Sequence, residues 1–160
     1  MKFNHLIEIN DPMLPLVEML TRHQLWQGLV LRMTQPKLFV PYLDRCEIQP
    51  LPQGGWRRTL EYGEVVICDE VTLLPERQID VTVLPQNGMP ASSLRMTIEA
   101  PHADTLFVRF AYADTDPVEA ESAQAFYDKF RHSAYQEADI DTIRLIRQMA
   151  QDGRFDSPPQ

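Results

Sequence analysis

The sequence predicts an α+β fold in which a curved seven-stranded antiparallel sheet wraps around a long C-terminal helix, with two short helices after the first strand. Three observations predict it. Residues 2–10 alternate with a period of two, residues 45–114 hold six further runs with alternation or β-branched enrichment, and residues 116–153 read as one long helix. A sheet with one apolar face needs a second layer, and a long helix with its own apolar stripe supplies it.

In KFNHLIEIN (2–10), Phe3, His5, Ile7 and Ile9 fall on one side and Asn4, Glu8 and Asn10 on the other, with Leu6 breaking the pattern. NDPMLPLVEML is an irregular connection. Thr21 then caps a helix, Gln24 reaches back to the cap's amide, and Leu20 staples against Leu25. This helix carries Leu25, Trp26, Leu29, Val30 and Met33, a stripe that needs an apolar partner. PKLFVPYL adds a short helical turn. CEIQP, GWRRTLEY, EVVICDEVTLL, RQIDVTVL, SSLRMTIEA and DTLFVRFAYA follow as strands of an antiparallel meander, separated by turns such as LPQG, YGEV and PHAD. Asp116, Pro117 and Glu119 supply a cap, a first-turn proline and a first-turn acid, and Gly153 supplies the stop. Between them lie up to about 36 residues of helix, on the order of 50 Å long. Its sheet-facing stripe is read as Phe126, Tyr127, Phe130, Ala134, Ala138, Leu145 and Met149.

At 160 residues, with no internal repeat or Gly/Ser linker, the chain is read as a single domain over 1–160. A formal charge of −8 repels phosphate backbones and anionic headgroups, which argues against nucleic acid as a partner. No apolar run approaches a membrane span, and MKFNHLIEIND meets charge too early for a signal peptide, so no membrane insertion and a cytoplasmic location are expected. Cys46 and Cys68 have no ligand-like spacing, and they are read as reduced side chains; neither a metal nor a cofactor is expected. Neither a Gly-rich phosphate loop nor a nucleophile elbow is present in the sequence.

The stretch GWRRTLEYGEVVICDEV (55–71) places charge inside an apolar face. A two-residue turn at Gly63-Glu64 sets Tyr62 opposite Val65, Leu60 opposite Ile67, Arg58 opposite Asp69 and Trp56 opposite Val71. That face is the apolar one, so Arg58 and Asp69 are expected to meet on the concave side, where pairing is the least costly way to keep either charge. The pair is either an ion pair that fixes strand register or a polar anchor for a ligand. His5, on the same face as Ile7 and Ile9, is either a core group or a proton donor or acceptor beside the ligand. His23, His102 and His132 are read as surface groups. Trp56, Tyr62, Phe110, Tyr112, Phe126, Tyr127 and Phe130 either fill a core or line a cavity. Glu137, Asp139 and Asp141 are read as pairing with Arg144 and Arg147 on a solvated helix face.

The element order resembles the helix-grip fold of the START and Bet v 1-like (SRPBCC) superfamily. The stretches HLIEIND, LTRHQLWQGLVLR, FVPYLDRCEI, RRTLEYGEV and AYQEADIDTIRLIRQ further resemble an AtaL-like subgroup, similar to acetylaranotin biosynthesis protein L. The resemblance spans nearly the whole chain and implies a hydrophobic ligand cavity, with no catalytic set to carry over. The ligand-binding candidates are therefore His5, Ile7, Trp56, Arg58, Leu60, Tyr62, Ile67, Asp69, Phe110, Tyr112, Phe126 and Phe130. Three functions remain open at this point. They are a module that binds a small hydrophobic molecule as monomer or homodimer, an enzyme (cyclase, hydratase or isomerase) acting on a polyketide-like or aromatic compound, and an interaction domain with an empty cavity.

Overall fold

The computed structural model describes residues 2–14, 17–86, 88, 90–114 and 122–156, the side chains of 122–128 excepted. Its seven strands are β1 (Lys2–Asn10), β2 (Arg45–Pro50), β3 (Trp56–Tyr62), β4 (Val65–Leu74), β5 (Gln78–Val83), β6 (Ser92–Glu99) and β7 (Leu106–Asp114). They form one sheet in the order β1-β7-β6-β5-β4-β3-β2, each neighbouring pair antiparallel. Helix α1 (Arg22–Thr34) and a 3₁₀ turn (Pro36–Leu38) follow β1, and α2 (Ser122–Gln151) follows β7. The meander brings β2 to β7 together by local hairpins, while β1 returns from the other end of the sequence to pair with β7.

Local chemistry fixes the ends of the elements. Thr21 Oγ1 accepts from the Gln24 amide at 3.0 Å and the Thr21 amide donates to Gln24 Oε1 at 2.9 Å, the full capping box read from the sequence. Before it, buried Asn10 holds the connection from β1. Its Nδ2 donates to the Leu20 carbonyl and its Oδ1 accepts from the Leu20 amide. At the other end, Gly153 adopts φ 81°, its amide donates to the Ala150 carbonyl and the Arg154 amide donates to Met149, which completes a Schellman stop. The cap read at Asp116–Glu119 lies outside the described residues.

The core sits between the concave sheet face and the two helices. Ile9, Val71, Ile79, Met96, Val108 and Phe110 from the sheet meet Leu25, Leu29 and Met33 from α1 and Ile143 and Ile146 from α2. The convex face carries cross-strand ion pairs instead: Arg57 with Glu70, Arg95 with Asp80 and Arg109 with Glu99. Exposed pairs of this kind contribute up to about 1 kcal/mol each.

The sheet-facing stripe of α2 corrects the sequence reading. Phe130 is 69% exposed, and Ala134 and Ala138 also face solvent. The buried positions are instead Asp139, Thr142, Ile143 and Ile146, with Arg131, His132 and Tyr135 half-buried along the same side. Met149, at the end of the stripe, does pack against the core, and Leu145 is half-buried; around Phe130, Ala134 and Ala138 polar residues with partners on the sheet take the inner face instead, so ranking positions by hydrophobicity misplaced the middle of the helix. Phe126 and Tyr127 lie among the side chains not described.

The two helices approach closely where α1 lacks a side chain. A Cβ at Gly28 would lie 2.6 Å from Ile146 Cγ2, and Ile146 is fully buried. Gly28→Ala gains about 1 kcal/mol of helix propensity, but overpacking a core typically costs about 1–3 kcal/mol. Urea melts are therefore expected to show a net loss of stability, which disappears when Gly28→Ala is made in an Ile146→Ala background that removes the three clashing carbons; a stabilised Gly28→Ala protein would contradict this packing.

Candidate functional site

The turn at Gly63 sets the first part of the site. Gly63 has φ 60° while Glu64 stays outside the left-handed region, as a II′ hairpin requires. The resulting register pairs Tyr62 with Val65, Leu60 with Ile67, Arg58 with Asp69 and Trp56 with Val71. Arg58 and Asp69 do meet on the concave face. Arg58 Nε donates to Asp69 Oδ1 at 2.8 Å and Nη2 donates to Oδ2 at 2.7 Å, a bidentate pair. Arg58 Nη1 also donates to the Met33 carbonyl at 3.1 Å, one of the acceptors the last turn of α1 leaves without an intrahelical partner. Arg58 is 5% exposed and Asp69 2%.

The pair lies in the wall of a pocket of about 290 Å³ between the sheet and α2. Leu60 and Tyr62 join Arg58 from β3, and Ile67 joins Asp69 from β4. Val81, Val83 and Leu94 extend the apolar wall across β5 and β6, Ser92 adds a hydroxyl, Tyr112 and Ala113 come from β7, and Arg131 and Tyr135 cover it from α2. Arg131 Nη2 donates to Asp114 Oδ2 at 2.9 Å, and the Tyr135 ring stacks on Tyr112 at 4.0 Å and 5°. Burial, and next the neighbouring Tyr42, push the Tyr62 phenol above its ordinary value.

A second buried polar group stands beside the pocket. Asp139 is fully buried on α2, and it receives the Tyr112 hydroxyl at 2.7 and 2.9 Å, His5 Nε2 at 2.7 Å and Arg32 Nη1 at 3.2 Å. One carboxylate thus ties together β7, β1, α1 and α2. Burial, followed by the charge of Asp139, pushes the Tyr112 phenol well above its usual range.

Six of the sequence candidates line the pocket: Arg58, Leu60, Tyr62, Ile67, Asp69 and Tyr112. His5, Ile7, Trp56 and Phe110 do not line it. His5 is spent on Asp139 and stacks on Phe110, closing the space between β1 and α2, while Ile7 and Trp56 pack against the core. Phe130 points to solvent, and the side chain of Phe126 is not described. Asp139 belongs to this buried network rather than to a solvated face, and Arg147 donates to the Glu18 and Ile9 carbonyls rather than to a carboxylate. Only Arg144 and Asp141 form the exposed pair read there, at 3.5 Å. His132 is likewise no simple surface group, because its ring stacks on Phe3 at 4.1 Å. Val81, Val83 and Leu94 obeyed the strand alternation and could have been named from it; Arg131 and Tyr135 stand one helical turn apart, but their hydrophilic character hid them.

The sheet and the long C-terminal helix packed on its concave face have the Bet v 1-like helix-grip fold. The chain belongs to the AtaL family, whose model, described as acetylaranotin biosynthesis cluster protein L, matches residues 7–153. Similar solved structures include the di-domain ARO/CYC StfQ from the steffimycin biosynthetic pathway (TM-score 0.68, 10% identity, 96% of this chain and 52% of that one). This chain therefore spans about half the length of that relative. It is also similar to the Zhui aromatase/cyclase from Streptomyces sp. R1128 (TM-score 0.61, 13% identity, 94% and 93% coverage). Ara h 8.0201 is a third such structure (TM-score 0.59, 13% identity, 91% and 97% coverage). No curated protein sequence matches the chain. Identities this low establish the fold.

Two predictions follow from the buried groups. Removing one partner of the Arg58–Asp69 pair strands the other charge and is expected to cost about 3–5 kcal/mol, whereas Arg58→Met combined with Asp69→Leu should cost far less than the sum. Denaturant melts of the four proteins check this, and additive effects would show no coupling. Tyr112 titrates above its ordinary value of about 10 in the folded chain and at that value once unfolded, so its contribution is complete below about pH 10 and lost as pH rises beyond it. Tyr112→Phe is expected to be about 1.5–3 kcal/mol less stable at neutral pH, the deficit shrinking above about pH 10. A deficit that stays constant through the alkaline range would mean the hydroxyl is not held by Asp139.

Proposed function

We propose that this protein, a single domain over 1–160, binds a small hydrophobic or aromatic molecule in the pocket between sheet and C-terminal helix, with Arg58 and Asp69 as its polar anchor. The observation that carries the reading is a buried, bidentate ion pair set into the wall of an otherwise largely apolar pocket. Such sites combine apolar walls with a few placed polar groups, and about 290 Å³ is near the lower end of their roughly 300–1,000 Å³ range. Arg58 donates three hydrogen bonds within the protein, and the guanidinium has N–H bonds left over for a ligand oxygen. A cytoplasmic setting and a monomeric or homodimeric state go with this reading.

A second reading is supported by the Tyr112–Asp139–His5 chain of hydrogen bonds that ends at the pocket wall. Tyr112 would act there as an acid or as an oxyanion partner, in a cyclase, hydratase or isomerase acting on a polyketide-like or aromatic compound. The similarity to aromatase/cyclases, which shows the fold alone, is consistent with it.

Native mass spectrometry after incubation with a cell extract and desalting tests both. A retained small molecule of unchanged mass, lost from Arg58→Met with Asp69→Leu, supports binding, and conversion of that molecule over time supports catalysis. No adduct in the parent protein under any condition would contradict both.

A further inference from the structure

We infer that the pocket selects an uncharged ligand carrying an acceptor oxygen, an aromatic ketone, quinone or lactone, and rejects the corresponding carboxylate. This rests on the proposal that the pocket holds a small aromatic molecule and specifies its class.

The inference comes from where each charge in the pocket wall is already directed. An arginine in an apolar pocket ordinarily signals an anionic ligand, because its fork matches a carboxylate. Here that fork is occupied, since Nε and Nη2 hold the two oxygens of Asp69 at 2.8 and 2.7 Å. With Asp69 2% exposed, a ligand cannot displace it without leaving a buried carboxylate unpaired, and an added anion would meet that carboxylate as a like charge. Arg131, the other cation of the wall, is held to Asp114 at 2.9 Å, and Asp114's side chain is 3% exposed.

The remaining titratable groups around the pocket carry no charge to offset an anion. The phenols of Tyr62 and Tyr112 are held protonated by burial, and Cys46, opposite Leu60 on the edge strand, is likewise pushed up as a thiol. Tyr135 covers the pocket with its ring stacked on Tyr112. Without a ligand, the Tyr112 proton is directed to Asp139 rather than into the pocket. What remains for a ligand is the pair of unspent Arg58 N–H bonds, the Ser92 hydroxyl on the concave row of Arg58 and Asp69, and an apolar wall. A carbonyl oxygen accepts from those N–H bonds without bringing a charge, whereas a carboxylate gives up its hydration with no free cation to replace it.

Matched probes test this. 2-Acetylnaphthalene and 2-naphthoic acid share one ring system, and their binding is followed by calorimetry and by the methyl NMR signals of Leu60, Val81 and Leu94. The ketone is expected to bind with constant affinity from about pH 6 to about pH 8, while the acid, taken up only in its neutral form, weakens by about tenfold per pH unit. Asp69→Asn frees the Arg58 charge and is expected to raise the affinity of 2-naphthoate relative to the ketone by about tenfold or more, flattening its pH dependence. If that variant does not fold, the pH series on the parent protein decides alone. A naphthoate affinity that is independent of pH and equal to the ketone's would overturn the inference while leaving the pocket reading intact. Methyl signals unmoved by either probe would remove the pocket reading, and this one with it.

Discussion

A guanidinium buried on the concave face of a sheet has to be matched atom by atom, and the matching of Arg58 organises this molecule. Asp69 answers it from the neighbouring strand through two hydrogen bonds, and the last turn of α1 answers it through the Met33 carbonyl. The first match fixes the β3–β4 register, because a slip of one residue would turn Arg57 and Glu70 inward and bury a different pair. The second match joins the helix to the sheet, using a carbonyl that the helix end must satisfy in any case. A buried pair of this kind adds little net stability over an apolar pair, so its contribution is one of position. It fixes where the charged groups stand among the leucine, isoleucine, valine and tyrosine side chains of the wall.

The same turn of α1 makes a second polar connection on its other side. Arg32 reaches Asp139 on α2, and Asp139 in turn holds Tyr112 of β7 and His5 of β1. Fully buried, that carboxylate is tolerable only with several donors, and the structure provides them from three other elements. The consequence for the pocket is geometric. The His5–Asp139 contact and the packing of Ile143 and Ile146 close the space under α2 on the β1 side, so the open volume is confined to β3–β7 beneath Arg131 and Tyr135.

What the sequence disclosed and what it withheld divide along a physical line. Thr21 and Gln24 announce their helix start because the interaction spans three residues, and Gly63 announces the hairpin because a tight turn dictates every pair beyond it. The charged pair at Arg58 and Asp69 could be read from that register alone. Asp139 could not: its partners Arg32, His5 and Tyr112 lie 107, 134 and 27 residues away, and no local pattern links them. A lone acid between two other acids looks solvated, and Phe130 looks buried, until tertiary contacts assign the faces of α2. The helix was therefore legible in type and in its C-terminal end, but not in orientation. The pocket followed the same division, with its strand wall readable and its helix cover not.

The claim on which this account depends most is that Arg58 is rigidly clamped by Asp69 within the folded protein. Guanidinium NMR on arginine-labelled protein measures it directly through rotation about the Arg58 Cζ–Nη bonds. A guanidinium held at Nε, Nη1 and Nη2 is expected to rotate slowly and show separate, downfield Nη proton signals, which merge when Asp69 is replaced by Asn. A single averaged Nη signal for Arg58 in the parent protein, unchanged in the Asp69→Asn variant, would contradict the account.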